Sequence, residues 1–333
     1  MNQNKTTRQI RALGLCSGGL DSILSALVLK EQGIEVTWVS FETPFFSAQS
    51  AEKAARHTGI PLIVRDITPV YMEMMRAPKA GFGKNMNPCM DCHALMFAQA
   101  GHLMKERGFD FLFSGEVLGQ RPKSQNKNAL RYVEKNSGVD GYIVRPLSAR
   151  LLPETLAEQQ GLVDREQLLD ISGRSRKVQM ELAERFKVKD YPSPAGGCLL
   201  TDKGFSQRLR DLLYVQKTEN PSQLHLLKHG RHFRLDQECK LVVGRSRGDN
   251  KRIMAHYDPA HHVRLRHATL PGPDALLSGT VTESHVLTAA EITAGYTKAK
   301  PGDTAEVRVF EGDRTREVSV TVPKSGTFKE LLI

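Results

Sequence analysis

The sequence predicts an α/β protein, a doubly wound parallel sheet followed by a second, smaller α+β domain. From residue 11 to about 143, short apolar runs alternate with amphipathic stretches, the pattern of strands that cross over through helices into a parallel sheet. Beyond residue 220 the pattern changes to period-two alternation of apolar and polar residues, as in half-exposed strands. Eight of the eleven histidines also lie beyond that point. A chain of 333 residues, set against domains of about 100 to 200 residues, implies two domains, 1–219 and 220–333, divided near Asn220 and Pro221.

The predicted strands of the first domain are 12–16, 36–41, 62–66 and 111–114, with helices over 21–32 and 48–57. In open α/β sheets ligands sit beyond the carboxyl ends of the strands, so functional residues are expected there. Residues 118–141 carry Gln120, Arg121, Lys123, Gln125, Lys127 and Asn128 and read as a polar loop or lid. Helical periodicity returns over 165–169 and 176–186, and the run 191–198 (YPSPAGGC) interrupts it. In the tail, a helix over 288–297 and closing strands near Val307 and Val318 are expected.

Hydrophobic residues at 40% and charged residues at 25% fit a soluble protein with ordinary cores and exclude a disordered or fibrous one. No apolar run approaches the ~18 residues of a membrane span. The polar stretch 1–11 has no signal-peptide core, so a cytoplasmic protein with no membrane partner is expected. A net charge of +10 favours a polyanionic partner. Five cysteines in a chain of this length argue against a disulfide scaffold and leave metal or redox chemistry open.

The predicted strand 12–16 runs into Ser17, Gly18, Gly19, Leu20, Asp21 and Ser22 and then an apolar helix. Two glycines let the backbone approach an anion, the amides at the helix start point toward it, and the Ser17 and Ser22 hydroxyls add donors. The turn holds no lysine, so it differs from the loop that serves γ-phosphoryl transfer and suits pyrophosphate as a leaving group. The run SGGxDS is the signature of the PP-loop ATP pyrophosphatases, which this segment resembles. The resemblance implies ATP as substrate, an adenine nucleotide alpha hydrolase-like fold, and Asp21 helping to hold pyrophosphate and its Mg2+. The run 114–120 (SGEVLGQ), with Ser124, Gln125 and the run 144–147 (VRPL) after it, is similar to the corresponding run of the tRNA 4-thiouridine synthetases. That similarity extends roughly over 11–215 and places Gly115, Glu116 and Gln120 at the nucleotide.

Cys89 and Cys92 in the run 87–93 (NPCMDCH) have a spacing that grips one metal, and Cys198 follows a Pro-Ala-Gly-Gly turn. Three soft ligands favour zinc or an iron–sulfur cluster with one open iron, and His93 offers a fourth ligand to a structural zinc. The run NPCxxC also resembles the thiouridylases, whose second cysteine comes much later, where Cys198 stands here. Two sulfur routes are therefore open, a persulfide on Cys198 resolved by Cys92 or Cys89, or a 4Fe-4S cluster on all three, the cluster being the favoured expectation. Cys16 and Cys239 read as packed core.

In 231–236 and 262–267 the apolar residues alternate with His232, Arg234, His262, Arg264 and Arg266, which puts a basic set on one sheet face. Arg245, Arg247, Lys251 and Arg252 add a basic turn after a strand. These segments resemble the NFACT-R RNA-binding domain, though a Trp-Leu-His element usual there is absent from 263–267. The whole reads as an ATP-dependent tRNA sulfurtransferase. ATP adenylates a uridine carbonyl oxygen, and sulfur from a cysteine desulfurase or from sulfide displaces AMP to give thiouridine. The rival readings are a small-molecule sulfur insertase of the same fold and a non-enzymatic nucleotide-sensing RNA-binding protein.

Overall fold

The computed structural model describes residues 8–192 and 198–333. Residues 1–7 of the polar N-terminal stretch and 193–197 of the Pro-Ala-Gly-Gly turn lie outside them. The chain divides into two compact units at Cys198–Leu199.

The first unit is built on strands Arg11–Leu15 (β1), Glu35–Glu42 (β2), Leu62–Asp66 (β3), Phe111–Ser114 (β4) and Ile143–Val144 (β5). All neighbours pair in parallel, in the order β3-β2-β1-β4-β5. Four of these strands are the expected ones, and β5 is added at the edge. The order reverses between β1 and β4, which opens a crevice at their carboxyl ends. Helices Leu20–Glu31 (α1) and Gln49–Thr58 (α2) stand where periodicity put them. Helices Thr68–Arg76 (α3) and Cys89–Arg107 (α4) complete the crossover to β4.

The expected loop over 118–141 contains a helix, Lys127–Ser137 (α5). Its polar composition hides a narrow apolar stripe, Ala129, Leu130 and Val133, all buried, and Asn126 caps it by accepting from the Ala129 amide. Helices Leu156–Gln159 (α6) and Lys177–Arg185 (α7) come next, and the stretch expected to be helical near 165–169 is a single 3-10 turn, Arg165–Gln167. No helix among the described residues is long and apolar enough to cross a membrane.

The second unit is a six-stranded antiparallel sheet in the order β11-β10-β8-β9-β7-β6. Its strands are Arg231–Arg234 (β6), Cys239–Val243 (β7), His262–His267 (β8), Ala275–Gly279 (β9), Thr304–Glu311 (β10) and Arg314–Thr321 (β11). Helices Lys203–Arg210 (α8) and Pro221–Leu226 (α9) precede the sheet, Arg247–Met254 (α10) lies between β7 and β8, and Glu283–Gly295 (α11) comes after β9. The core joins Val286, Ala289, Ala290 and Ile292 of α11 to Leu241, Leu265, Leu277, Val307 and Val318 of the sheet. A smaller cluster of Leu226, Val242, Ile253 and Leu276 lies against the opposite face.

The second unit begins earlier than the 219/220 boundary read from the sequence, for a definable reason. Asp211, in the π-helical turn Asp211–Val215 after α8, accepts from Arg234 of β6 (2.9 and 2.6 Å) and from the Lys240 Nζ of β7 (3.1 Å). The segment therefore belongs to the sheet it is bonded to. Burial works to raise the Asp211 carboxyl, but Arg234 and Lys240 outweigh it and hold it below its ordinary value. Burial lowers Lys240 to about 8. Asp211→Ala strands two cations in a nearly closed site, and it is expected to destabilise the protein by about 3–5 kcal/mol, read as a shift of the urea unfolding midpoint.

Candidate functional site

Directly after β1, Gly18 takes a left-handed conformation (φ 74°). A Cβ there would lie 2.2 Å from the Ser50 backbone at the start of α2, so only glycine fits. Gly115, just past β4, is as confined: a Cβ would stand 2.5 Å from the backbone carbonyl of Asp21. The loop 17–22 and the end of β4 are thus in direct contact, at the crevice the strand order creates.

The Asp21 carboxylate is set by a relay. Gln120 Nε2 donates to Asp21 Oδ2 at 2.8 Å, and Gln179 Nε2, on α7, donates to Gln120 Oε1 at 3.4 Å. Asp21 Oδ1 is buried with no partner among the described residues. An unpartnered buried carboxylate oxygen is a ready seat for a hard cation such as Mg2+, which fits the expected role of Asp21. Ser17 is exposed and Gly19 partly so. Ser22 is buried and donates to the Gly19 carbonyl (2.7 Å), so its hydroxyl shapes the loop. Cys16 is core as expected, burial pushing its thiol up to about 11.

Glu116, expected at the nucleotide, has its carboxylate in a buried network. Arg145 Nε donates to Oε2 (3.0 Å), Ser114 Oγ donates to the same oxygen (3.2 Å), and His93 Nδ1 meets Oε1 (2.9 Å). Arg145 also pairs with Glu134 of α5. Burial works to raise Glu116, but the Arg145 charge and the His93 hydrogen bond outweigh it and hold it at about 2.

His93 is bound to this network, beside the cysteines. Cys89, Cys92 and His93 open α4 at positions i, i+3 and i+4, on one helix face. Asn87 Nδ2 donates to the Cys89 sulfur (3.4 Å). Burial, with the charges of Cys198 and Cys89 adding to it, pushes the Cys92 thiol up to about 12, so the three thiols share one electrostatic neighbourhood. Among the described residues no group of three or more His, Cys, Asp or Glu could hold a metal ion, so the expected 4Fe-4S cluster on the three cysteines finds no support here. Cys92 is partly buried in the first turn of α4, whereas Cys198 is exposed at the end of the first unit. His93, the expected fourth zinc ligand, faces Glu116 through Nδ1.

In the second unit the expected RNA-binding arginines fall into two classes. Arg234 is tied to Asp211, and Arg264 donates to Asp274 (3.0 and 2.7 Å) with its guanidinium 5.0 Å over the Phe310 ring. His232 and His262, of the expected basic face, are buried. Arg266, Arg247, Lys251 and Arg252 are exposed, and Arg245 is about half exposed while holding Asp249 (2.6 Å). The basic turn is in fact α10, capped by Ser246, whose hydroxyl accepts from the Asp249 amide; Arg247 and Lys251 share one of its faces.

The sequence reading missed Tyr71, Gln179, Arg145 and Arg176. Tyr71 lies in a Met-rich stretch that core packing explained, and its hydroxyl, like Arg176 Nε and Arg145 Nη2, is buried and makes no aligned hydrogen bond among the described residues. Gln179 is fully buried on an otherwise amphipathic helix, a signal legible only once the register of α7 is known.

Residues 7–150 match the family described as thiamine biosynthesis protein (ThiI), and residues 230–329 match the NFACT protein RNA binding domain. A Syntrophus aciditrophicus protein named tRNA-specific 2-thiouridylase MnmA 1 is 31% identical over 229 residues, 62% of this chain and 57% of its own. A Thermus thermophilus protein named tRNA-specific 2-thiouridylase MnmA is 31% identical over 136 residues, 32% of this chain and 36% of its own. The chain thus spans little more than half the length of the first relative and about a third of the second. A crystal structure of a predicted tRNA methyltransferase subunit from Methanocaldococcus jannaschii covers 53% of this chain and 76% of its own, at TM-score 0.34 and 16% identity.

The Glu116 network carries a pH signature. Its pKa is depressed from 4.5 to about 2, so its stabilisation is complete above pH 4.5 and is lost as the pH falls through about 2. The contribution is on the order of 3 kcal/mol. In Glu116→Gln the fall in urea midpoint between pH 4.5 and 2 should shrink accordingly, and at pH 7 the variant should be the less stable protein.

Proposed function

Because the first unit carries a segment of the ThiI family and the second an NFACT RNA-binding domain, we propose that this chain is an ATP-dependent tRNA thiolation enzyme. One observation carries the reading. The three residues 114–116 join the phosphate loop to the thiols, since Gly115 packs on the Asp21 backbone and Glu116 holds His93, the neighbour of Cys92. A loop shaped for phosphate and a group of cysteines are thereby fixed around one crevice.

In this reading a uridine carbonyl oxygen attacks the α-phosphorus of ATP and pyrophosphate leaves. Sulfur then displaces AMP at the same carbon, giving thiouridine. The backbone of Ser17, Gly18 and Gly19 cradles the departing pyrophosphate. Gln120, itself held by Gln179, fixes Asp21 with Oδ1 unpartnered among the described residues, and Asp21 would hold a Mg2+ ion whose charge would offset that of the phosphates. Cys89, Cys92 and Cys198 handle the sulfur, supplied by a cysteine desulfurase or as sulfide. The exposed cations Arg245, Arg247, Lys251, Arg252 and Arg266 hold the RNA by its phosphates, contacts that position a substrate without reading its sequence.

Asp21→Ala is expected to abolish tRNA-dependent pyrophosphate release. Cys92→Ser and Cys198→Ser should each retain that release and yield no thiouridine, measured by nucleoside mass spectrometry. Normal pyrophosphate release in the Asp21 variant overturns the reading. Iron and acid-labile sulfide in anaerobically purified protein, compared between the wild type and the cysteine variants, decide between the cluster and persulfide routes.

Changing Arg247 and Lys251 together to Glu should weaken tRNA binding by on the order of tenfold, as expected for lost phosphate contacts, with ATP affinity unchanged. A gel-shift titration checks this. Equal affinities would mean that α10 is a solvated face.

A further inference from the structure

Tyr71, on α3, is one of the most enclosed side chains of the first unit, with 1% of its surface exposed. Its ring is wedged between two phenylalanines, 5.6 Å from Phe45 and 5.4 Å from Phe46, the latter edge-on. A buried phenol ordinarily finds an acceptor for its O–H. Tyr132 does so nearby, donating to Asp91 Oδ1 at 2.7 Å. The Tyr71 hydroxyl is buried and makes no aligned hydrogen bond among the described residues. The groups that bear on it are the sulfurs: Cys92 lies against it, and Cys198 and Cys89 are close enough for their charges to act on it.

A second donor is already engaged at the cysteines, Asn87 Nδ2 on the Cys89 sulfur (3.4 Å). Asn87 is itself fixed. Its Oδ1 accepts from the Asn85 amide (3.1 Å), its carbonyl accepts from the Gly83 amide (3.0 Å), and a Cβ on Gly83 would stand 2.4 Å from Nδ2. Cys89 and Cys92 both lie in the first turn of α4, at the positive end of a long helix dipole. A neutral thiol is a poor acceptor for such groups, whereas a sulfur bearing negative charge is a good one.

We infer that Tyr71 and Asn87 are the donors of a binding site for an anionic sulfur atom held at Cys92, either the terminal sulfur of a persulfide or a hydrosulfide. The inference rests on the reading of this unit as a sulfur-transfer unit, and it adds the residues that hold the sulfur before it moves. A phenol is protonated at neutral pH, so the hydroxyl is a donor there. The Phe45 and Phe46 wedge fixes its direction, so the sulfur meets a donor already in place.

The test uses the full-length protein and Tyr71→Phe, which keeps the ring and its wedge and removes only the O–H, with Asn87→Ala as a second, independent variant. In one arm glutathione persulfide loads the protein by sulfane transfer. Cys92 thiol and glutathione persulfide become Cys92 persulfide and glutathione, and the loaded peptide is tracked by mass spectrometry. In the other arm, thiolation of tRNA is measured against sodium sulfide concentration. Tyr71→Phe should lose loaded sulfur about tenfold faster, or show a KM for sulfide raised about tenfold, as expected for one lost hydrogen bond to a charged acceptor. Its KM for ATP should not change, and Asn87→Ala should shift in the same direction.

Retention and sulfide KM equal to wild type in Tyr71→Phe overturn the inference, as does a wild-type chain that takes up neither probe. If the wild type loads persulfide yet thiolates no tRNA, the proposed function fails while the retention arm still decides the role of Tyr71.

Discussion

The first unit is organised around a single buried charge. Glu116 lies at the carboxyl end of β4 with 6% of its surface exposed, and a carboxylate in such a place is tolerable only if it is paired and fully hydrogen-bonded. The groups that satisfy it come from four directions: Ser114 from β4 itself, His93 from α4, Arg145 from the exit of β5, and Glu134 of α5 through Arg145. Removing Arg145 would leave the Glu116 charge without its cation, and removing any of the others would leave a buried hydrogen bond or ion pair unmade, so the elements that carry them are held in fixed relation. The position of Gly115 against Asp21 and the first turn of α4 beside the crevice both result from that constraint.

Much of this fold was legible in the sequence, because the strands of a parallel sheet are buried on both faces and read as short apolar runs. β1 to β4 and helices α1 and α2 stand within a residue or two of their expected places. α5 was hidden because only Ala129, Leu130 and Val133 of its eleven residues make a buried stripe, too few to outweigh the polar residues around them. The division into two compact units at Cys198–Leu199 differs from the expected boundary for a related reason. Asn220 and Pro221 do punctuate the chain, but they begin α9 inside the second unit, and an ion pair between Asp211 and Arg234 is invisible to composition.

At the candidate site, Gly18 and Gly115 of the motifs stand where only glycine fits. What each side chain does was less legible. Glu116 and Ser22 belong to motifs, yet their polar atoms are satisfied internally, whereas Tyr71 and Gln179 belong to none and sit at the centre of the geometry. A motif records spacing along the chain. Which hydrogen-bond partner a side chain finds depends on elements dozens of residues away, as with Gln120 and Gln179 on Asp21.

The two classes of arginine in the second unit have a practical consequence. Added salt screens charges in water within a few ångströms but reaches buried pairs much less. Concentrated salt should therefore detach any polyanion from Arg247, Lys251, Arg252 and Arg266, while the enclosed Asp211, Arg234 and Lys240 remain bonded and keep the sheet together. High ionic strength would then remove a polyanion from the exposed cations without unfolding the unit, because its exposed charges and its enclosed charges experience different solvents.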